Sequence, residues 1–187
     1  MRISADKLFS GKLAVITAAL LLLLCMPVTG KADEAQQTEY RIKTAFLYNF
    51  SLFVVWPESA MQERSEFLLC TLGETQFKEQ LDTLTGKTVH NKTIVVKRHS
   101  QPQEVMDCHL VFIGEQQDLT ETLWTLQKQP VLTVSNIAGF TEKGGIIQFK
   151  LIENKVRFRI NADAASSAGL TVSSKLLSLA IDVTGSR

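Results

Sequence analysis

Two alternating runs set back to back constrain this chain more than any other feature. Ile147, Phe149 and Leu151 alternate with Gln148 and Lys150, and Val156, Phe158 and Ile160 alternate with Arg157 and Arg159. A period of two sends successive side chains to opposite faces, so each run reads as a strand with one buried and one wetter face. The short polar link Ile152-Glu153-Asn154-Lys155 makes the pair an antiparallel hairpin, although it lacks the Asn-Gly signal of the tightest turns. Asn161 then caps a short helical turn that closes at Gly169, and Ser173 or Ser174 caps a final helix. No residue of this stretch resembles a nucleophile with its base. It reads as a scaffold that presents a surface.

Upstream of the hairpin, short apolar strands alternate with helical patterns. Tyr40 to Phe53 has helical periodicity, with Ile42, Phe46, Phe50 and Phe53 on one face and Arg41, Thr44, Tyr48 and Ser51 opposite. Residues 33–39 are polar and read as a frayed lead-in, while Pro57 ends the helix and Trp56 plugs the core. Glu66–Leu72, Thr93–Val96, Leu110–Ile113 and Val131–Val134 read as strands. Thr75–Leu84 reads as a helix with Phe77, Leu81 and Leu84 inward, ended by Gly86, and Leu119–Leu126 as another that carries Trp124. This order predicts an α/β fold: a mostly parallel sheet flanked by helices, with a C-terminal antiparallel hairpin. In the final helix Leu176, Leu179, Ala180 and Val183 share one face, and Leu177 and Ile181 supply a second. A helix apolar on more than half its circumference is buried on two sides or lies at an interface, which leaves room for a homodimer.

The N-terminus reads as a leader rather than as part of the fold. Arg2, Lys7 and Lys12 precede the apolar run Leu13–Met26, and small residues follow at Gly30 and Ala32. The run falls short of the roughly 20 residues of a spanning helix, so it is expected to be a signal peptide cleaved near 30–32. Leu24 stands before Cys25 where a lipoprotein signal needs a small residue. Without residues 1–32 the chain keeps 16 Lys and Arg against 18 Asp and Glu. That balance gives no basic footprint for nucleic acid and no polybasic membrane surface, and no later stretch is apolar enough to insert in a membrane. Residues 33–187 suit a single domain with one core.

Cleavage would remove Cys25 and leave Cys70 and Cys108. In an exported chain two cysteines most simply make one disulfide, which over a separation of 38 residues stabilises by about 3–4 kcal/mol. A redox switch or a metal site with His109 are the rival readings, but the spacing supplies too few regular ligands for a metal. Gly86-Lys87-Thr88 ends like a phosphate loop, yet Leu81 stands where its first glycine belongs and a helix precedes it. Gly144-Gly145 makes a turn into a strand. His90, His99 and His109 sit singly, and Ser173 and Ser174 cap a helix rather than serve as nucleophiles. No catalytic constellation is visible, so no enzyme, cofactor or metal is expected.

Eight runs in order resemble the YfiR family: YRIKTAFLYNFSLFVVWP (40–57), LCTLG (69–73), LTGKTV (84–89), CHLVFIG (108–114), VLTVSNIAGF (131–140), GGIIQF (144–149), VRFRIN (156–161) and AGLTVSSKLLSLA (168–180). Val55 departs from the acidic residue that the family more often carries before Trp56. The resemblance implies a periplasmic negative regulator that binds the periplasmic sensory domain of an inner-membrane diguanylate cyclase and restrains cyclic di-GMP synthesis. It also puts Cys70 and Cys108 on the family's cysteine positions. The expected contact surface is the hairpin's polar face with Arg157 and Arg159, together with Leu170, Ser173, Ser174, Lys175 and Leu177. The alternative is a periplasmic small-molecule-binding protein whose α/β cleft captures its ligand.

Overall fold

A computed structural model of the chain describes residues 30–62, 64–114 and 118–185. Most of the predicted leader lies outside the described residues. The chain enters as α1 (Gly30–Phe53), passes a two-residue strand β1 (Val54–Val55) and a short α2 (Glu58–Gln62), and reaches β2 (Glu66–Leu72). Then follow α3 (Lys78–Asp82), β3 (Thr88–Val89), β4 (Lys92–His99), a 3-10 turn (Pro102–Val105) and β5 (Leu110–Ile113). The second half is α4 (Leu119–Leu126), β6 (Leu132–Ser135), β7 (Ile147–Ile152), β8 (Lys155–Asn161), α5 (Ala162–Ser167), β9 (Thr171–Val172), α6 (Ser174–Leu179) and β10 (Asp182–Thr184). Residues from Gln37 onward form one compact unit, and the packing that follows is that unit's.

The main sheet runs β10-β8-β7-β6-β5-β2-β4-β3. Its central pairs β4–β2, β2–β5, β5–β6 and β6–β7 are parallel, β7–β8 and β3–β4 are antiparallel, and β10 lies parallel to β8. The architecture is the mixed α/β one expected from the alternating elements. Central parallel strands need cover on both faces, which is why β2 and β5 are near-continuous apolar runs. One face, with Phe67, Leu69, Leu110, Phe112, Val134 and Phe149, packs against Leu47 and Phe50 of α1, Leu81 of α3 and Leu176 of α6. The other, with Leu68, Leu72, Val111 and Ile113, packs against Val105 of the 3-10 turn and Leu119 and Leu126 of α4.

The hairpin forms as its alternation dictates, with Phe149 opposite Phe158 and Leu151 opposite Val156. Its two-residue turn needs no glycine: Glu153 and Asn154 both adopt positive φ (48° and 57°), the sign pattern of a type I′ turn. Asn161 Oδ1 accepts the Ala164 amide at 2.9 Å and caps α5, and Gly169 follows at φ 71°. Gly86, at φ 85°, ends the turn after α3. Gly145 must be glycine because an added Cβ would lie 2.1 Å from the Phe140 ring.

Four sequence expectations change. Residues 34–39 are helical and extend α1, instead of fraying. The buried face of α1 runs through Tyr40, Lys43, Thr44, Leu47, Phe50 and Ser51, while Ile42 is exposed and Phe46 and Phe53 are half-buried. Half-buried Phe46 still packs on Phe149 and Phe158, at the edge of the face that Phe50 fills. Leu151 is exposed, since Phe46 and Phe50 cover the Phe149–Phe158 pair and stop short of the hairpin tip. The last helix ends at Leu179, where Ala180 turns extended and Asp182–Thr184 pairs along β8. An edge strand with unpaired amides is unfavourable, and β10 covers that of β8.

Candidate functional site

Cys70, midway along β2, is joined by a disulfide to Cys108, just before β5. Both are buried in the core beneath α4 and the 3-10 turn. A ring nitrogen of His99 lies within 4.8 Å of both sulfurs, but sulfurs bonded to each other offer no thiolate. His109 serves the core instead. Its Nδ1 accepts the Leu68 amide at 2.9 Å, and its carbonyl accepts the Trp56 indole N–H at 3.0 Å. Burial lowers its pKa to about 4, so the ring is neutral near pH 7.

The residues expected to meet a partner divide between surface and core. Arg157 is exposed on the hairpin's outer face. Arg159 is half-buried and held between Glu142 at 3.0 Å and Asp182 at 3.5 Å. Leu170 is buried at 4% exposure, so it belongs to the core and offers no contact surface. Ser173 Oγ accepts the Leu176 amide at 3.3 Å and caps α6, which leaves Ser174 exposed on its first turn. Lys175 lies 4.9 Å above the Phe53 ring, its ammonium drawn to the electron-rich face. Leu177 is half-buried. Sequence reading missed the apolar groups around these: Leu179, Ile181, Leu151 and Ile152 are all exposed. Leu151 shares a face with its partner Val156, while Ile152, next to it in the strand, points to the opposite face with Arg157, and Ile181 donates its amide to Phe158 beside the hairpin. The strict alternation of the hairpin hid this, since it records a face and not what covers it.

A second place is built by topology. At the carboxyl ends of β2, β5 and β6, a cavity of about 170 Å³ lies beneath the middle of α1. The loop after β2 supplies Thr75, Gln76 and Phe77, β5 ends there in Phe112 and Gly114, and Asn136 follows β6. Tyr40 stacks on Phe77 with centroids 5.6 Å apart, and Phe77 meets Phe112 edge to face at 4.8 Å. The Tyr40 hydroxyl bonds to Gln76 Oε1. Lys43 is buried and its ammonium lies 2.6 Å from Glu39. Gly114 admits no side chain, because a Cβ there would sit 2.1 Å from the Glu74 carbonyl oxygen. The only sequence signal for this place was a glycine directly after each of two apolar strands, Gly73 and Gly114. A wider hollow of about 520 Å³ lies between α4 and α5, walled by Leu126, Thr133, Ile146, Asn161 and Ala164.

The YfiR/HmsC-like domain family matches residues 40–181. The chain is a member of that family. The family is a regulatory one, associated with diguanylate cyclase signalling in the periplasm. Among the described residues no helix is long and apolar enough to cross a membrane. No curated protein matches the chain. Among solved structures, a conserved domain protein from Vibrio cholerae O1 biovar El Tor N16961 is 11% identical with a TM-score of 0.49, covering 70% of this chain and 61% of its own. The chain thus spans about three fifths of that protein. A domain from Streptococcus pneumoniae, described as an ABC domain in complex with L-Trp, is 11% identical with a TM-score of 0.40, covering 63% of this chain and 55% of its own. YfiR/HmsC-like membership therefore rests on the family match over the folded unit.

Proposed function

We propose that this YfiR/HmsC-like chain is exported to the periplasm, binds the periplasmic sensory domain of an inner-membrane diguanylate cyclase and holds the enzyme inactive. The family match across residues 40–181 carries this reading. A repressor stabilises the inactive state only by as much as it binds that state better than the active one. The region that suits the task is the tip of the hairpin with α6, where Arg157, Ser174, Lys175, Leu151, Ile152, Leu179 and Ile181 are all exposed. Apolar groups rimmed by charge are a common composition for protein contacts. The role of the disulfide is to keep a small exported domain folded. Deleting the gene in its native host is expected to raise cyclic di-GMP. An unchanged level, with the cyclase gene present and expressed, overturns the proposal.

A further inference from the structure

The chain crosses from β2 outward to β4 and then returns to β5 on the other side of β2. Loops leaving the two strands therefore diverge, and in open α/β sheets such a switch point is where a crevice forms at the carboxyl ends. Here the crevice is the cavity of about 170 Å³ beneath α1. Its size excludes nucleotides and peptides, which need several hundred Å³. One wall is aromatic, made by Phe77 and Phe112.

Two buried polar residues line it. Thr75 lines the cavity, is 8% exposed, and its Oγ1 has no hydrogen-bond partner. A hydroxyl buried without a partner costs about 1–3 kcal/mol, a deficit that a ligand can remove. Lys43, 7% exposed, lines the same cavity, and the contact with Glu39 at 2.6 Å leaves an ammonium with three N–H groups room for another acceptor. Close backbone contact at Gly114 and Glu74 fixes the two strand exits against each other, so the cavity is preformed.

We propose that the crevice binds a small organic carboxylate, its carboxylate oxygens on Lys43 Nζ and Thr75 Oγ1 and its short apolar body against Phe77 and Phe112. The site is independent of the surface assigned to the cyclase, so either proposal can fail alone. For a ligand with so few atoms, a dissociation constant of about 1 mM is the expected scale.

The test is an amide NMR titration of the purified chain with sodium butyrate at constant ionic strength, with butyramide as the uncharged counterpart. Butyrate is expected to give saturable shifts centred on Lys43, Thr75, Gln76, Gly114 and Asn136, and butyramide at least tenfold weaker ones. Thr75→Val keeps the shape, and it is expected to weaken butyrate at least fivefold without lowering the melting temperature. Lys43→Met is expected to abolish binding. Three outcomes overturn the proposal: no saturable shift at ten times the expected constant, shifts centred elsewhere, or an equal response to butyramide. Unchanged binding by a folded Thr75→Val does so even if Lys43→Met fails to fold.

Discussion

Cys70 and Cys108 are bonded across the seam between β2 and β5, with Cα atoms 6.2 Å apart. Leu69 pairs with Leu110 in the same seam, so the cross-link ties together strands that already hydrogen-bond. The bond therefore acts chiefly on the unfolded chain, where it closes a loop over a separation of 38 residues. Loop-closure entropy sets that effect at about 3–4 kcal/mol. The double variant Cys70→Ala/Cys108→Ala is expected to lose about that much in urea unfolding and to keep its circular dichroism spectrum. Two free thiols under non-reducing conditions in the mature chain, which lacks Cys25, contradict the bond itself.

His109 makes stability depend on pH. Burial holds its folded pKa at about 4, below the ordinary 6.5. As pH falls below 6.5 the unfolded chain takes up a proton that the folded chain refuses. This contribution is fully present above pH 6.5, is lost progressively down to about pH 4, and then levels off. Urea midpoints measured across that window are expected to fall. His109→Asn, whose side-chain oxygen can still accept the Leu68 amide, is expected to flatten the slope.

How much of this was legible in the sequence depends on where each cause lies. Phe149 and Phe158 announced the hairpin because period two is a local property of the backbone. Leu110–Ile113 announced a buried strand because four consecutive apolar groups in so short a run suit a strand covered on both faces better than a helix. Asp182–Thr184 did not, since its strand character comes from the open edge of β8, which no local pattern records. Lys43 and Thr75 looked like ordinary polar positions 32 residues apart, and only the crossover around β2 brings them to one cavity. Leu170 was misplaced as surface because one apolar residue between Gly169 and Thr171 carries no periodicity to assign it a side.

The hairpin turn is stable with suboptimal residues. Glu153 holds φ 48°, a left-handed conformation that costs a non-glycine residue roughly 1 kcal/mol, whereas asparagine tolerates it better and glycine freely. Replacing Glu153-Asn154 by Asn-Gly fits the same type I′ turn. The substitution is expected to raise stability by about 0.5–1 kcal/mol in urea unfolding. A loss of stability shows that the Glu153 side chain contributes something the backbone geometry does not reveal.

Gly114 separates backbone fit from side-chain packing. An added Cβ would lie 2.1 Å from the Glu74 carbonyl oxygen, a backbone atom that cannot swing away. Gly114→Ala is thus expected to destabilise by about 2–3 kcal/mol, at the upper end for one extra methyl group. Gly139→Ala is the useful contrast, because a Cβ there meets nothing within 4 Å and the cost is only that of its φ of 73°. That cost is about 1 kcal/mol. Equal losses at the two positions exclude the close approach of the β2 and β5 exits.

Surface and core at the C-terminus respond differently. Arg157 is exposed and Lys175 only rests its ammonium on the Phe53 ring, so reversing their charges leaves the core intact. Arg157→Glu/Lys175→Glu is expected to change stability by less than about 1 kcal/mol. Binding to the cyclase's periplasmic domain is expected to weaken at least tenfold, measured by titration calorimetry. Leu170→Ala, by contrast, opens a cavity in the main core and is expected to cost about 2–4 kcal/mol. If it still folds, its affinity should be close to that of the unaltered chain. Charge reversal that leaves affinity untouched moves the contact surface away from α6 and the hairpin, toward the face around exposed Trp124 on α4.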